Sequence, residues 1–196
     1  MQRSKRLLVS GTIMLLAGLA AVTAAIAVEA PAPAQVVSGN WQHHKVTFNY
    51  YGITTLYSCD GLETDVKAIL LHFGARKDAK VSAQGCPHGP EVPSHNAFVN
   101  TDFYTLSPQA AAGADKGVPS YWAAVELNAH RPYFMGHGQC ELIDDMKDLV
   151  TKNFSFRDLD YRANCVPHEI NLNDFSVKAQ VLQAVPATVA RAPSGA

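Results

Sequence analysis

The sequence lacks the short motifs that mark the common cofactor and nucleophile sites. It contains no Gly-x-Gly-x-x-Gly fingerprint, no Gly-x-x-x-x-Gly-Lys phosphate loop, no Gly-x-Ser-x-Gly elbow and no Cys-x-x-Cys pair. A dinucleotide enzyme, a P-loop nucleotidase, an α/β-hydrolase and a thioredoxin-like oxidoreductase therefore have no support here. We expect a protein without enzymatic activity, and we assign no catalytic residue.

An excess of positive charge is also missing. The chain has 16 Lys and Arg against 17 Asp and Glu. Three of the basic residues, Arg3, Lys5 and Arg6, belong to the N-terminal segment, so the rest of the chain has a formal net charge of −4. No basic stripe with interleaved aromatic residues occurs, which argues against a nucleic-acid partner.

Only one long apolar run is present. It extends from Leu7 to about Val28, follows the three basic residues and contains the small-x-small pattern Ala25-Ile26-Ala27. This pattern predicts a signal peptide at 1–27 and a periplasmic or secreted protein with no membrane attachment after cleavage. An uncleaved anchor is the alternative, because the run is long enough to span a bilayer. Residues 28–40 then form a Pro- and Ala-rich spacer.

Cysteine is scarce, but its spacing is informative. Cys59 to Cys86 and Cys140 to Cys165 each begin with a cysteine, continue through an acidic amphipathic helix pattern and end in a strand-like segment before the second cysteine. The repeat predicts the disulfides Cys59–Cys86 and Cys140–Cys165 out of three possible pairings. A zinc site is the alternative, but it usually needs cysteines two to four residues apart.

Apolar periodicity predicts two helices. Asp60 and Glu63 resemble a capping box, and Gly74 is a typical left-handed stop. A second helix is expected from Cys140 or Glu141 to Asn153. The buried stripes should consist of Leu62, Val66, Ile69, Leu70 and Phe73 in the first helix, and Ile143, Met146, Leu149 and Val150 in the second.

Strand patterns surround both helices in the same order. They cover residues 46–57, 80–84, 97–106, 121–129, 154–164 and 174–182. The order is β-α-β-β twice, which predicts an α+β domain at 41–183 with two helices on one face of a mainly antiparallel sheet of about six strands. A ferredoxin-like arrangement is the nearest named shape. The duplicated units would cover about 44–106 and 121–183, joined by a linker at 107–120 and followed by a disordered tail at 184–196.

The segment Tyr57-Ser58-Cys59-Asp60-Gly61-Leu62, followed by a leucine-rich helix and Gly74-Ala75-Arg76, resembles a group of exported, uncharacterised proteobacterial proteins. The resemblance covers about residues 46–86. It implies a bacterial source and an oxidising periplasmic setting, and it provides no catalytic residues.

Histidine offers the main candidate for site chemistry. His88 and His168 each follow the second cysteine of a unit by two or three residues. Imidazoles on such turns can bind copper or zinc, so we predict His88 and His168 as metal ligands. His43 and His44, or His137, are candidates for additional ligands. The alternative is that Pro-His marks an exposed turn after a strand.

Other patterns are weaker. Tyr50-Tyr51, Trp122 and Tyr133-Phe134 are candidates for a binding cleft, although aromatic residues in strands usually belong to a core. The segment 136–138 is a candidate anion site before the second helix. Acidic groups at 144–148 and 158–160 are expected to be solvated.

These observations favour an exported non-enzymatic binding or interaction protein whose ligand, a small molecule or a protein, is unknown. A periplasmic copper or zinc protein that uses the histidine-bearing turns is the second hypothesis. A hydrolase without a recognisable motif is the third.

Overall fold

The computed structural model describes residues 35–86, 91–108 and 117–186. The elements are β1 (Val37–Tyr51), α1 (Cys59–His72), β2 (Lys80–Gln84), β3 (Asn96–Pro108), β4 (Val118–Asn128), α2 (Cys140–Asp145), α3 (Lys147–Asn153), β5 (Phe156–Asn164) and β6 (Asp174–Ala184). The predicted α+β class is confirmed. The predicted signal peptide and His88 lie outside the described residues.

The strands form one sheet in the order β2-β3-β1-β4-β6-β5, and every neighbouring pair is antiparallel. It follows that β1 and β2 run parallel with β3 between them, and that β4 and β5 run parallel with β6 between them. Each half is thus a split β-α-β arrangement. The halves meet where three residues of β1, Val37–Gly39, pair with Val118–Ser120 of β4.

Several predicted boundaries differ from the structure. β1 begins at Val37, inside the predicted spacer, and ends at Tyr51, six residues earlier than expected. β3 ends at Pro108 and β4 begins at Val118, so both strands include residues of the predicted linker at 107–120. The pairing of β1 with β3 and β4 explains the additions, because backbone hydrogen bonds stabilise strand residues that have no apolar periodicity of their own.

The start of α1 is set by a residue other than those predicted. The Ser58 hydroxyl oxygen accepts a hydrogen bond from the Gly61 N–H at 3.0 Å, so Ser58 is the N-cap. The capping role predicted for Glu63 is wrong, since its carboxylate accepts the Ala83 N–H at 2.8 Å and ties α1 to β2. The predicted stop is confirmed, because Gly74 has a φ of +89°.

The second predicted helix is two helices. It breaks at Met146, which ends α2 and caps α3. Both predicted apolar stripes are nevertheless buried, with every member at most 2% exposed. They share one core with alternate residues of β1, β3, β4 and β6, so the helices cover one face of the sheet. No helix in the described ranges is long and apolar enough to cross a membrane.

Both predicted disulfides are present. Cys59 is bonded to Cys86 with Cα atoms 6.1 Å apart, and Cys140 to Cys165 with Cα atoms 5.6 Å apart. Each bond joins the first residue of a helix to the segment after the next strand. The two bridges therefore close corresponding parts of the two halves.

The halves correspond in further details. Cys140 follows Cys59 by 81 residues, and the same spacing separates Trp41 from Trp122, Phe73 from Phe154 and Arg76 from Arg157. The two phenylalanine rings meet in the core with centroids 5.8 Å apart. Each arginine lies over the tryptophan of its own half. A common origin of the two halves stays a prediction, as does the ferredoxin-like description.

Candidate binding face

The structure does not bring the predicted metal ligands together. His168 is exposed in a turn with a φ of +65°, and its backbone N–H donates to the Thr54 hydroxyl. His43 and His44 point to opposite faces of β1, where they hydrogen-bond Asp102 and Thr105, respectively. The described ranges contain no group of three or more His, Cys, Asp or Glu side chains placed to hold a metal ion. Metal binding by His88 and His168 stays a prediction.

The third candidate histidine lies elsewhere. The His137 Nδ1 is 2.7 Å from the carbonyl oxygen of Asn173, and its ring packs edge-on against His130 with centroids 5.3 Å apart. The aromatic residues predicted to line a cleft are also not brought together. Tyr50 is in the core, whereas Tyr133 is 96% exposed.

A set of residues that the sequence did not single out forms a continuous surface on the other side of the sheet. Alternation along the strands turns Val46, Val99 and Val81 toward the core. Their neighbours point outward, and the strand register aligns them in rows across β1, β3 and β2. We call this surface the outer face; its rows are His43–Tyr104, Lys45–Asp102–Lys80, Thr47–Asn100–Ser82, Asn49–Phe98–Gln84 and Tyr51–Asn96.

Two aromatic rings are exposed at one end of the outer face. Tyr51 is 60% exposed and Phe98 is 58% exposed. Phe98 is paired with Asn49, two residues before Tyr51, so Tyr51 and Phe98 occupy diagonal positions, which in a sheet are about 7 to 8 Å apart. Neither ring belongs to the buried core. They form an apolar platform open to solvent.

Two separate shallow spaces lie on the outer face. One of about 500 Å³ lies over the rows of Lys45 and Thr47. The other, of about 290 Å³, lies over Tyr51 and Phe98. Apart from the two rings, the side chains in the last three rows are hydroxyls and amides. The outer face therefore changes from a charged row to a neutral, partly aromatic end.

The second row contains two lysines and one carboxylate, so it has an excess of positive charge. The Asp102 carboxylate lies 2.7 Å from His43 Nε2 and 3.6 Å from Lys45 Nζ. The hydrogen bond with His43, followed by the charges of His43 and Lys45, holds the pKa of Asp102 below its usual range. The His43 ring also stacks on Tyr104 with centroids 4.5 Å apart. At this end of the outer face, the side chains of His43, Tyr104, Lys45 and Asp102 thus contact one another.

Arg76 lies at the same end of the outer face, beside Tyr104. Its guanidinium lies 3.6 Å from the centroid of Tyr104 and 5.7 Å from that of Trp41. It also donates two hydrogen bonds of 2.7 Å to the Asp78 carboxylate. The side chain is therefore fixed by a bidentate contact and a cation–π contact at once.

The second half repeats the charged end of this surface. Arg157 lies 4.1 Å from the centroid of Trp122, as Arg76 lies over Trp41. Lys178 pairs with Glu126 at 3.3 Å, and Arg162 pairs with Asp160 at 2.7 Å. By the 81-residue spacing Glu126 corresponds to Lys45, so these ion pairs are counterparts of the charged row of the outer face.

Two carboxylates of α2 hold the chain just beyond the aromatic platform. Glu141, only 8% exposed, accepts the N–H groups of Thr54 and Thr55 at 2.9 to 3.1 Å. Asp145 accepts the N–H of Tyr51 at 2.8 Å. Burial raises the pKa of Asp145 to about 6, and the negative charges of Asp144 and Glu141 add to the effect against the opposing Tyr51 hydrogen bond.

The sequence predicted Asp144, Asp145 and Asp148 to be solvated. Asp144 and Asp148 are exposed, and Asp148 pairs with Lys152 at 2.7 Å. Asp145 does not fit the prediction, because it lies against β1. The contact joins residues 94 positions apart, so local sequence patterns could not indicate it.

Buried hydroxyl groups lie in and beside the segment of Thr54 and Thr55 that Glu141 holds. The hydroxyls of Tyr57 and Thr55 are buried and have no hydrogen-bond partner among the residues that the structure describes. Burial, followed by the charge of Asp65, raises the pKa of Tyr57 well above its usual range, so the phenol stays protonated. The Tyr50 hydroxyl, by contrast, donates to the carbonyl of Thr55 at 2.6 Å. None of these groups reaches the outer face.

Comparison with known proteins finds no relative. No protein-family model matches the chain, and neither the curated proteins nor the solved structures contain a significant match.

The outer face was missed because each of its strands has an ordinary alternating pattern. The signal that was available is the run Lys45, Thr47, Asn49 and Tyr51, which alternates polar groups before an exposed ring. Its partner Phe98 joins it only through the register of β1 and β3.

Proposed function

We propose that this chain is an exported binding protein and that the outer face of β1, β3 and β2 is its ligand-binding surface. One observation carries the proposal. The exposed rings of Tyr51 and Phe98 line a space of about 290 Å³ at the neutral end of the outer face. Exposed aromatic groups at a concave surface are typical of binding sites.

The rigidity of the scaffold supports the proposal. β1 and β3 pair along thirteen successive positions, from Gly39–Pro108 to Tyr51–Asn96, so the rows of the face are fixed by backbone hydrogen bonds. Asp145 anchors the backbone of Tyr51 from the opposite side of the sheet. A site on paired strands needs little ordering when a ligand binds, which favours affinity.

The two halves of the sheet differ in the rows that carry the rings. β4 ends at Asn128, the counterpart of Thr47 by the 81-residue spacing, so no residue of β4 corresponds to Asn49 or Tyr51. In the first half, Tyr51 and Phe98 lie outside the core and remain exposed. The extension of β1 beyond Thr47 therefore provides a surface that β4 does not have.

Export to an oxidising compartment, periplasmic or extracellular, is part of the proposal. Two disulfides in a chain of this size are typical of such compartments. The predicted signal segment at 1–27 agrees with this placement.

The proposal can be tested by mapping ligand contacts in solution. We would record amide NMR spectra of the exported protein while adding probes of four classes: neutral oligosaccharides, short neutral peptides, anionic polysaccharides and small aromatic compounds. At least one class should shift the amide signals of residues 45–51 and 96–102 together. Shifts confined to β4, β5 and β6, or the absence of shifts with every class, would contradict the proposed surface.

A further inference from the structure

We infer that the ligand of the outer face is a neutral linear oligosaccharide. The inference rests on the proposed function, because it names the class of ligand for the same surface. Three properties of the face lead to it: the exposure of two neighbouring rings, the hydrogen-bonding groups beside them and the lack of charged side chains in the last three rows.

The rings offer what the apolar side of a sugar needs. A pyranose ring presents a row of C–H groups on its face, and these carry partial positive charge. An aromatic ring carries partial negative charge on its face, and Tyr51 and Phe98 are 60% and 58% exposed. Rings at diagonal positions of a sheet are close enough to contact neighbouring units of one sugar chain.

The polar groups beside the rings match sugar hydroxyls. A hydroxyl both donates and accepts hydrogen bonds, and so does a carboxamide. Four amide side chains, Asn49, Gln84, Asn96 and Asn100, lie in the last three rows. Within the described residues only Asn100 uses its side chain, whose oxygen accepts from Thr47 at 2.8 Å and leaves the NH₂ group for a ligand.

The distribution of charge argues against an ionic ligand. The last three rows contain no charged side chain. In the second row Lys45 and Lys80 face the single carboxylate of Asp102, so the positive charge lies two rows away from Phe98. A phosphate, a sulfate or a polyanion bound against the rings would find no cation in the rows that carry them, where recognition would need one.

A peptide added as an extra strand is the competing occupant. An extended peptide gains affinity by pairing with an unpaired sheet edge. β3 is paired on both sides along the outer face, but β1 pairs with β4 only at Val37–Gly39, and β2 lies at the edge of the sheet. Such a peptide would pair with the backbone of an edge, whereas a ligand over Tyr51 and Phe98 is held by side chains, and the hexapeptide in the test below distinguishes the two.

The dimensions favour several sugar units over one. Rows are two residues apart, which corresponds to about 6.6 Å along a strand. The four rows from Lys45 to Tyr51 thus cover about 20 Å. A linear chain of several rings can contact the platform and the amides at the same time.

The test uses the full exported protein and named probes. We would titrate it by calorimetry with cellohexaose and chitohexaose as neutral glycans, and with polygalacturonate and an uncharged hexapeptide as comparisons. The variants are Tyr51→Ala, Phe98→Ala and Tyr51→Phe. The matched control is Tyr133→Ala, because Tyr133 is 96% exposed and lies outside the outer face.

We expect one or both neutral glycans to bind. Tyr51→Ala and Phe98→Ala should each weaken binding about tenfold, as expected for the loss of one aromatic contact. Tyr51→Phe keeps the ring and should bind within about twofold of the original protein, and Tyr133→Ala should bind equally well. Thermal unfolding of each variant checks that the fold is intact.

Failure can take three forms. If neither neutral glycan binds, or if the anionic glycan or the peptide binds more tightly, the oligosaccharide inference is overturned, while amide shifts on the outer face with another probe would preserve the proposed function. If neutral glycans bind but the Tyr51 and Phe98 variants bind unchanged, both the inference and the proposed surface are wrong.

Discussion

Replacing Asp145 with asparagine should make the protein more stable at neutral pH. Asp145 lies partly buried between α2 and the end of β1, with the negative charges of Asp144 and Glu141 nearby. Burial of its ionised form is costly, and only the Tyr51 N–H at 2.8 Å offsets the cost. Asparagine has no charge, and its side-chain oxygen can still accept the same hydrogen bond.

The size of the effect follows from the shift of the pKa. The folded pKa of Asp145 is about 6, compared with an ordinary value of 3.8. A shift of this size corresponds to about 3 kcal/mol of stability. Because the folded pKa is the higher one, the contribution is fully present below a pH of about 4 and is lost as the pH rises through about 6. At pH 7 the Asp145→Asn variant should therefore unfold with a free energy about 2 to 3 kcal/mol larger.

Urea denaturation at several pH values from 4 to 8, with both disulfides intact, measures this difference. The variant should match the original protein near pH 4 and exceed it increasingly up to about pH 7. Asp144→Asn is the control, since Asp144 is exposed at the adjacent position. A gain of stability that is equal for both variants, or a loss for Asp145→Asn at pH 7, would refute the explanation by burial.

Three further predictions concern the scaffold. Glu141→Ala should lower the free energy of unfolding by about 3 kcal/mol in urea denaturation, because two backbone N–H groups lose a charged acceptor; an effect below about 1 kcal/mol would count against the contact. Leu70→Ala should cost about 2 to 5 kcal/mol in the same assay, since Leu70 is fully buried, whereas the exposed control Lys67→Ala should cost little. Peptide mapping without reductant should find Cys59 linked to Cys86, and replacing both with serine should cost about 3.5 kcal/mol; a link to the other half would show that the pairing is wrong.

Much of the scaffold could be predicted because its signals are local or repeated. The stripe of α1 follows a helical period, and Gly74 has the backbone freedom that its φ of +89° requires. β2 has the predicted bounds, Lys80–Gln84. The disulfide pairing followed from the similarity of two segments, which reduced three possible pairings to one.

The remaining features depend on contacts between distant segments. Glu63 has the spacing of a capping-box residue, but the Ala83 N–H of β2 takes its carboxylate, and Ser58 caps the helix. The outer face depends on the register between β1 and β3, in which Phe98 is set beside Asn49. A shift of one residue would turn every outward side chain into the core, and no single segment encodes that choice.

The disulfide pattern also has a consequence for biogenesis. Cys59 and Cys86 are consecutive cysteines in the chain, and so are Cys140 and Cys165. In the proposed export, which starts from the N-terminus, Cys59 and Cys86 reach the oxidising compartment before Cys140 does. An oxidase that joins cysteines in their order of arrival therefore produces the native connectivity directly, and thiol–disulfide reshuffling is not required. Maturation should thus depend on an oxidant and proceed without a disulfide isomerase.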